Sequence, residues 1–210
     1  MDWAQLIQQY GVSRKGVIHI GAHEGQEVGA YLALGFERIL LVEANPFVYQ
    51  RLYSAVGAWP QVRTAHCAIS NQNGDVRLRV TSFDQSSSIL PLKRHKDIYP
   101  HIDEDYQLTV PSKTLDSLLA EMGLFATDFS FMNVDIQGAE LLAFHGAANT
   151  LPYMEAICSE VNFEEMYEGC ALVSQVDQYL ALFGFQRVAT TSVHHPSWGD
   201  AFYAKVGHGG

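Results

Sequence analysis

The alternation of strand patterns with helical patterns in the first 70 residues constrains the fold more than any other feature of the sequence. Residues 17–20, 38–42 and 62–69 are short apolar runs, and a segment with helical spacing of apolar residues follows each of the first two. Strands that alternate with helices pair in parallel, because each helix returns the chain to the same end of the sheet. The sequence therefore predicts an α/β fold built on a parallel sheet.

The pattern changes after residue 70. Asn73-Gly74 is a turn signal, and residues 76–80 alternate Val or Leu with Arg, which predicts a half-buried strand of an inserted hairpin. Residues 84–105 carry serines, prolines and histidines without a period, and a loop this long is usually functional or mobile.

The rest of the chain returns to the strand and helix alternation, with no linker between its parts. We predict one domain over residues 1–210, with an N-terminal helix within 1–15 and an inserted hairpin and acceptor-side loop at 71–110. The predicted later strands are 129–134, 156–161, 185–191 and 201–206, and the predicted later helices are 114–122, a helix opening at Glu140, and 173–183.

Charge and composition narrow the partners and the compartment. The formal net charge is -10, from 23 acidic and 13 basic residues, so the averaged field repels nucleic acid and anionic membrane surfaces. Cys67, Cys158 and Cys170 have no CxxC spacing, and the chain shows neither a signal peptide nor a run of about 18 apolar residues. We predict a cytoplasmic protein with reduced cysteines that binds neither nucleic acid nor membranes, and a homodimer stays open.

The first two predicted strands end in residues suited to binding a ligand. A loop from Gly21 to Gly25 follows the first strand, where Gly21 permits a tight turn and Gly25 lets a helix start close to the sheet. Glu43 ends the second strand, about 20 residues later, where an acid can accept both ribose hydroxyls of an adenosine. A turn without a ligand would explain the glycines alone, but the loop and the acid together favour an adenosine-containing ligand.

A nicotinamide-dependent oxidoreductase is one alternative. The glycine pattern that binds a pyrophosphate would place glycines at Gly21, His23 and Gln26, and two of the three are missing. The bulky His23 and the anionic Glu24 crowd the place of the pyrophosphate, which favours a ligand without phosphates. A catalytically silent cofactor-binding module is the other alternative.

Five sequence blocks, in order along the chain, resemble the FkbM-type methyltransferases, a branch of the class I S-adenosylmethionine-dependent enzymes. The blocks are Ile-Gly-Ala-His-Glu-Gly at 20–25, Val-Glu-Ala-Asn-Pro at 42–46, Ser-Ser-Ser-Ile-Leu at 86–90, Asn-Val-Asp-Ile-Gln-Gly-Ala-Glu at 133–140, and Glu-Val-Asn at 160–162 with Tyr-Glu-Gly at 167–169.

The resemblance implies a Rossmann-like class I methyltransferase fold: a mostly parallel seven-stranded sheet with an antiparallel last strand and helices on both faces. It implies S-adenosylmethionine as cofactor, S-adenosylhomocysteine as product, and O-methylation of a small-molecule or glycan acceptor. Within it, Gly21, Ala22 and Gly25 would contact the methionine part, Glu43 the ribose, and residues 68–70 the adenine. The full set of expected cofactor-binding residues is Gly21, Ala22, His23, Gly25, Glu43, Ala44, Ala68, Ser70, Ser87 and Asp135.

Three positions depart from the family pattern. His19 and His23 stand where the family usually has Asp and Asn, and both face the amino acid end of the cofactor in the family arrangement. Asn133 stands where the family often has Lys, which removes a charge near the acceptor.

Asp135 and Glu160 are the candidate catalytic residues. Methyl transfer requires an oxygen and the methyl group in line about 3 Å apart, and a hydroxyl also requires a base. Both carboxylates end predicted strands that open on the same cleft, and burial would raise the pKa of either one toward that of a useful base. Asp135 could instead bind the cofactor or cap the helix that carries Glu140.

Other polar and aromatic residues supply weaker candidates. His19 and His23 have zinc spacing but not on one helix, and Asp135 with Glu160 could hold Mg²⁺, yet we favour a site without metal. The expected acceptor wall is Phe163, Glu164, Tyr167 and Glu168. The histidines expected in solvated loops are His95, His101, His194 and His195, of which His95 and His101 could instead contact an acceptor.

Overall fold

The computed structural model of the protein describes residues 1–205. Ten strands follow one another within these residues: β1 (Gly16–Ile20), β2 (Arg38–Glu43), β3 (Val62–His66), β4 (Ala68–Ile69), β5 (Gly74–Thr81), β6 (Glu104–Lys113), β7 (Phe131–Val134), β8 (Ala156–Asn162), β9 (Phe185–His195) and β10 (Trp198–Lys205). The α-helices are α1 (Trp3–Gln9), α2 (Val28–Ala33), α3 (Pro46–Val56), α4 (His95–Ile98), α5 (Leu115–Glu121), α6 (Glu140–His145) and α7 (Val173–Ala181).

Seven of these strands form the main sheet, in the order β3-β2-β1-β7-β8-β10-β9. β1 lies inside the sheet, next to its central strand β7, and pairs in parallel with β2 and with β7, so that Ile20 is level with Val42 on one side and Val134 on the other. β10 is antiparallel to both of its neighbours, β8 and β9. The predicted α/β fold, with a mostly parallel sheet and an antiparallel last strand, is confirmed.

Helices cover both faces of this sheet because consecutive residues of its buried strands are apolar. Val17 packs on the face that α1, α2 and α3 cover, whereas Ile18 packs on the face that α5, α6 and α7 cover. Side chains alternate between faces along a strand, so a strand that is apolar at every position must be covered twice. The two hydrophobic cores therefore hold β1 and its loop rigidly in the middle of the molecule.

Helix α3 begins directly after β2 for a reason that the sequence shows. The Asn45 side chain accepts a 3.0 Å hydrogen bond from the backbone N–H of Phe47, and Pro46 occupies the first helical turn. An asparagine cap followed by proline is a strong helix start. The chain turns within two residues of Glu43 and leaves that side chain at the end of its strand.

The inserted segment forms a second sheet, in the order β4-β6-β5. The predicted strand at 76–80 is confirmed as β5, but its antiparallel partner β6 was not predicted. The segment expected to be an irregular loop contains a 3₁₀ turn (Asp84–Ser86) and α4 before β6 begins. Pro111 inside β6 argues against a strand in sequence, yet it lies beyond the two residues that pair with β4. The predicted third strand also divides at Cys67, where β3 stays in the main sheet and β4 enters the second.

Candidate functional site

A cavity of about 680 Å³ opens at the carboxyl ends of β1, β2, β7 and β8. Its volume is within the range of about 300–1,000 Å³ that small-molecule and cofactor sites have. It also lies where open parallel sheets bind ligands. The predicted site residues that line it are Gly21, Ala22, His23, Glu43, Ala44, Ala68, Ser87, Asp135 and Glu160.

Two predicted cofactor residues do not line this cavity. A Cβ on Gly25 would lie 2.8 Å from Leu52 of α3, so Gly25 serves the packing of its loop against that helix. Ser70 is buried, and its hydroxyl donates to Asn71 Oδ1 at 3.2 Å. The family resemblance implied that both residues contact the cofactor, but neither lines the cavity.

Gly21 brings the ends of β1 and β7 into contact. Its φ is +82°, and a Cβ there would lie 1.8 Å from the carbonyl oxygen of Asp135. The N–H groups of Gly21 and Ala22 both donate to the Val42 carbonyl, at 2.9 and 3.0 Å. Only glycine fits this turn, and the turn places the backbone of the loop beside the first predicted catalytic residue.

Glu43 organises the loops on both sides of its strand. One carboxylate oxygen accepts from the backbone N–H of His23 at 3.0 Å, and the other accepts from the N–H of Asn45 at 2.7 Å. Burial raises the pKa of Glu43, and these backbone hydrogen bonds oppose that increase. Each carboxylate oxygen has a second lone pair, so the residue can accept two further hydrogen bonds from a ligand in the cavity.

The predicted catalytic carboxyls are joined by one amide. Gln137 Nε2 donates to Asp135 Oδ1 at 2.7 Å and to Glu160 Oε2 at 2.8 Å. The hydroxyl of Tyr167 donates to Gln137 Oε1 at 2.7 Å. Gln137 holds this position with a φ of +56°, a conformation that a non-glycine residue rarely adopts. Gln137 lies in the block at 133–140, but the sequence predicted no role for it, and only its contacts reveal one.

The second sheet is attached to this cluster through the predicted serine block. Ser88 Oγ donates to the Gln137 carbonyl at 2.7 Å, and Ser88 also pairs with Arg79 of β5 through backbone hydrogen bonds. The hydroxyl of Tyr167 lies 3.3 Å from the Ser86 carbonyl. The inserted segment thus supports the loop that carries Asp135 and Gln137.

The two carboxyls differ in their protonation. Burial raises the pKa of Asp135 to about 6, although the residue is exposed to the solvent that enters the cavity, and we expect the full increase only when a ligand displaces that solvent. Burial and then the charge of Asp135 raise the pKa of Glu160, which is only 6% exposed. Asp135 therefore ionises first, and its negative charge opposes the ionisation of the adjacent Glu160.

No side chain caps α6, whose N-cap is Ala139; Glu140, the first residue of this helix, instead holds the loop that precedes it. Its Oε1 accepts from the N–H groups of Ile136 and Gly138, at 3.1 and 3.0 Å. Burial raises the pKa of Glu140 to about 7. The Asp135 side chain instead accepts from Gln137 and faces the cavity, so the helix-cap alternative for Asp135 is wrong.

The departures from the family pattern at His19 and Asn133 belong to one buried cluster. The hydroxyl of Tyr31 lies 3.3 Å from His19 Nδ1 and accepts from Asn133 Nδ2 at 2.9 Å. Burial lowers the pKa of His19 to about 4, so its ring is neutral at physiological pH. The uncharged side chains of His19, Tyr31 and Asn133 thus hydrogen-bond to one another beside the cavity.

Within residues 1–205, no group of three or more His, Cys, Asp or Glu side chains is arranged to hold a metal ion.

The far side of the cavity differs from the sequence expectation. Of the predicted acceptor wall only Tyr167 lines the cavity; Phe163, Glu164 and Glu168 do not. His95 is buried on α4 with its ring 5.6 Å from that of Tyr167, so the expectation of a solvated loop histidine is wrong. The other three histidines are at least partly exposed, as expected: His101 in a loop, and His194 and His195 at the end of β9.

A known protein family matches most of this chain in sequence. The sequence model of the methyltransferase FkbM domain matches residues 19–187. This chain belongs to the FkbM methyltransferase family. The resemblance seen in the five sequence blocks is therefore confirmed.

A characterised relative of this FkbM-family chain is the 2-O-methyltransferase NoeI of Sinorhizobium fredii. The two are 28% identical over 161 residues, which is 73% of this chain and 65% of the relative. The match thus spans somewhat less than two thirds of the relative's length.

Solved structures agree with this fold at low identity. Magnesium protoporphyrin IX methyltransferase from Synechocystis PCC 6803, solved with S-adenosylmethionine bound, has a TM-score of 0.52 and 9% identity, over 96% of this chain and 75% of that chain. A protein in the NADB-Rossmann superfamily from Streptococcus agalactiae has a TM-score of 0.54 and 10% identity, over 98% of this chain and 68% of that chain.

Over the part of the chain that the structure describes, no helix is both long and apolar enough to cross a membrane.

Proposed function

We propose that this FkbM-family protein is an S-adenosylmethionine-dependent O-methyltransferase that acts on a hydroxyl of a small-molecule or glycan acceptor. The observation that supports it most is the contact between Gly21 and Asp135. It places the backbone of Asp135 beside the glycine loop that would hold the donor, and the Asp135 carboxyl, whose pKa burial raises, lines the same cavity. The name of the relative, a 2-O-methyltransferase, supports oxygen as the methylated atom.

The donor site would lie over the ends of β1 and β2. Glu43 would accept the two ribose hydroxyls with the lone pairs that its backbone hydrogen bonds leave, and Ala44 and Ala68 are small enough to leave room for the adenine. When bound, S-adenosylmethionine supplies an electrophilic methyl group and leaves as S-adenosylhomocysteine. The remaining expected contacts are Gly21, Ala22 and His23 in the loop, Ser87 from the inserted segment between β5 and β6, and Asp135.

Asp135 would be the general base. The acceptor oxygen loses its proton as it becomes an ether oxygen, and the ionised Asp135 carboxylate receives that proton. Glu160 would stay protonated and hold its place through Gln137, so that only one negative charge faces the acceptor hydroxyl. Gln137 orients both groups and is a positioning residue in this scheme.

The alternatives are weaker on the same geometry. A nicotinamide cofactor requires room for a pyrophosphate at the loop after β1, where His23 adopts a φ of +46° and its ring bonds to Gln26. A silent binding module would not require the bridged carboxyl pair. The single domain, the cytoplasmic location, the lack of nucleic-acid binding and the open question of a homodimer stay predictions.

Calorimetric titration with S-adenosylhomocysteine and with NADH tests the proposal. We expect S-adenosylhomocysteine to bind with a micromolar Kd and NADH not to bind, because Glu43 suits a ribose and the loop excludes a pyrophosphate. Glu43→Ala should abolish binding. The matched control is Glu24→Ala, because Glu24 is in the same loop but bonds to Arg51 at 2.6 Å and does not line the cavity. Binding of NADH alone, or equal loss in both variants, would overturn the proposal.

A further inference from the structure

The cavity wall carries more carboxyl groups than the proposed reaction uses. Within the described residues no Lys or Arg lines the cavity, whereas five acidic side chains do: Glu27, Glu43, Asp135, Glu160 and Asp200. The ribose and the transferred proton account for Glu43, Asp135 and Glu160. Of the other two, Glu27 lies on the donor side, at the end of the loop that begins at Gly21.

The side chain of Glu27 does not serve its own helix. Glu27 is the N-cap residue of α2, but its side chain makes no capping hydrogen bond. Shorter polar side chains usually occupy this position, because they reach the free N–H groups of the first turn. The Glu27 side chain is 36% exposed and lines the cavity. Its carboxylate is therefore available to a ligand.

His19 lies beside this carboxylate without neutralising it. Its Nδ1 is 3.9 Å from Glu27 Oε2, but burial lowers the pKa of His19 to about 4. Asn133 Nδ2 lies 3.4 Å from His19 Nε2, and an amide nitrogen can only donate, so we assign the ring proton to Nδ1. His19 thus presents an N–H group to Glu27, and not a positive charge.

A positive charge on the ligand would complete this arrangement. Burial raises the pKa of Glu27, and a cation placed beside the carboxylate would favour its ionised form. The amino acid end of S-adenosylmethionine and of S-adenosylhomocysteine carries such a cation, an ammonium group with three N–H donors. A partly buried carboxylate gains most from a partner that supplies both charge and hydrogen bonds.

The position of Glu27 fits the proposed orientation of the donor. Glu43, assigned to the ribose, accepts from the N–H of His23 in the middle of the loop, and Glu27 lies four residues further along it. A ligand with its ribose at Glu43 can therefore extend along the loop to Glu27. The other unassigned carboxyl, Asp200, is on β10, which is three strands away from β1 in the sheet.

We propose that Glu27 is the counter-ion of the donor's ammonium group and selects ligands that carry it. The carboxylate accepts N–H hydrogen bonds from the ammonium, and the neutral His19 leaves its charge free for that contact. This inference rests on the proposed S-adenosylmethionine-dependent function and adds a specificity residue that lies outside the five sequence blocks.

Calorimetric titration of the full chain with four ligands tests this role. Two are S-adenosylhomocysteine and methylthioadenosine, which lacks the whole amino acid end. The other two are analogues of S-adenosylhomocysteine, one without its carboxylate and one without its ammonium. We expect the wild-type protein to bind the analogue that keeps the ammonium more tightly than the one that keeps the carboxylate, by on the order of tenfold.

Glu27→Gln removes the charge and keeps the size of the side chain. It should weaken the binding of S-adenosylhomocysteine and of the ammonium analogue by on the order of tenfold. The affinity for methylthioadenosine should not change, because that ligand does not reach Glu27. The analogue that keeps only the carboxylate should bind no more weakly than before, because a repulsion is removed.

Two further variants separate a local contact from the general acidity of the site. Glu24→Gln makes the same charge change in the same loop, but Glu24 bonds to Arg51 and does not line the cavity, so all four affinities should stay unchanged. Asp200→Asn removes a charge from the far side of the cavity and should alter the preference for the ammonium much less than Glu27→Gln does.

The outcomes distinguish this inference from the proposed function. A protein that binds neither S-adenosylhomocysteine nor methylthioadenosine contradicts the function itself. A wild-type protein that binds both without preferring the ammonium analogue overturns only the role of Glu27, and this comparison stands even if Glu27→Gln fails to fold. An equal loss of methylthioadenosine binding in Glu27→Gln, or an equal loss of preference in Glu24→Gln or Asp200→Asn, overturns that role as well.

Discussion

The Tyr167 hydroxyl donates a 2.7 Å hydrogen bond to Gln137 Oε1 and thereby determines which end of the Gln137 amide faces the carboxyl pair. Because the oxygen is held by Tyr167, the nitrogen must point at Asp135 and Glu160, where it can donate to both. The bond thus prevents a reversed amide, whose oxygen would face two carboxyl groups. Tyr167 and Gln137 position the proposed base without being catalytic residues themselves.

The first prediction concerns the pKa of Asp135 when this amide is removed. The hydrogen bond from Gln137 lowers the pKa of Asp135 and so opposes the larger effect of burial. Gln137→Leu should therefore raise the pKa of Asp135 above about 6, which NMR titration of ¹³C-labelled carboxyl groups can measure. Tyr167→Phe should shift it in the same direction by less, because a free amide still donates part of the time.

A matched tyrosine provides the control for Tyr167→Phe. Tyr49 bonds to Thr64 at 3.1 Å outside the cavity, so Tyr49→Phe should leave the Asp135 titration unchanged. If Gln137→Leu leaves the Asp135 pKa where it is, the bridging bond has no electrostatic role.

The second prediction separates the two carboxyls. Asp135→Asn should reduce methyl transfer by roughly 10²–10⁴-fold, the usual contribution of a general base. Glu160→Gln should retain most of the activity, since Gln resembles the protonated glutamic acid that we assign to this position. The rate of the wild-type enzyme should rise with pH through about 6, because the ionised form of Asp135 is the active one.

Transfer from radiolabelled S-adenosylmethionine to a glycan acceptor measures all three effects. The far-UV circular dichroism and the Tm of each variant serve as the control for folding, because Asp135 is itself an expected cofactor contact. Equal losses in Asp135→Asn and Glu160→Gln would mean that both carboxyls must be intact and that our division of roles is incorrect.

The fold and the donor side could be predicted from sequence, because local patterns determine them. Strand ends follow from apolar runs, and the parallel sheet brings those ends to one edge, so Gly21, Glu43, Asp135 and Glu160 line a common cavity. Whether a residue near a strand end lines the cavity also depends on how its loop packs against the rest of the protein. Gly25 and Ser70 are close in sequence to strand ends, but their contacts are with α3 and with Asn71.

The acceptor side could not be predicted in the same way, because contacts between distant segments form it. His95 is buried against Tyr167, 72 residues later in the chain, and neither neighbouring sequence has a period that shows this. β6 lacks clear alternation and contains a proline, so its pairing with β5 decides its structure.

The third prediction concerns Gly21. Its added Cβ would lie 1.8 Å from the Asp135 carbonyl, and its φ of +82° strains any other residue. Gly21→Ala should lower the free energy of unfolding by roughly 1–3 kcal/mol and displace the loop from Asp135, which should reduce S-adenosylhomocysteine binding.

Gly29→Ala is the control, because Gly29 is in α2 with open space around it. Its higher helix propensity should raise the free energy of unfolding by about 0.5–1 kcal/mol. Chemical denaturation measures both, and similar effects of the two variants would contradict the close contact.

The fourth prediction concerns the pH dependence of stability that Glu140 causes. Burial raises its pKa to about 7 in the folded protein, against about 4.3 in an unfolded chain. Between these values the folded protein binds more protons than the unfolded chain, so the free energy of unfolding falls as pH rises.

The variant Glu140→Gln removes this dependence, while the side-chain oxygen of Gln can still accept from the N–H groups of Ile136 and Gly138. The Tm of the variant minus that of the wild type should therefore increase between pH 5 and pH 8, by roughly 4–8 °C if the effect is about 2 kcal/mol. Glu37→Gln, on the exposed surface, should give a difference that does not change with pH. Parallel Tm curves for Glu140→Gln and wild type would show that Glu140 ionises in the folded protein as readily as in the unfolded chain, and that the carboxyl cluster around Asp135 carries more charge than we assign to it.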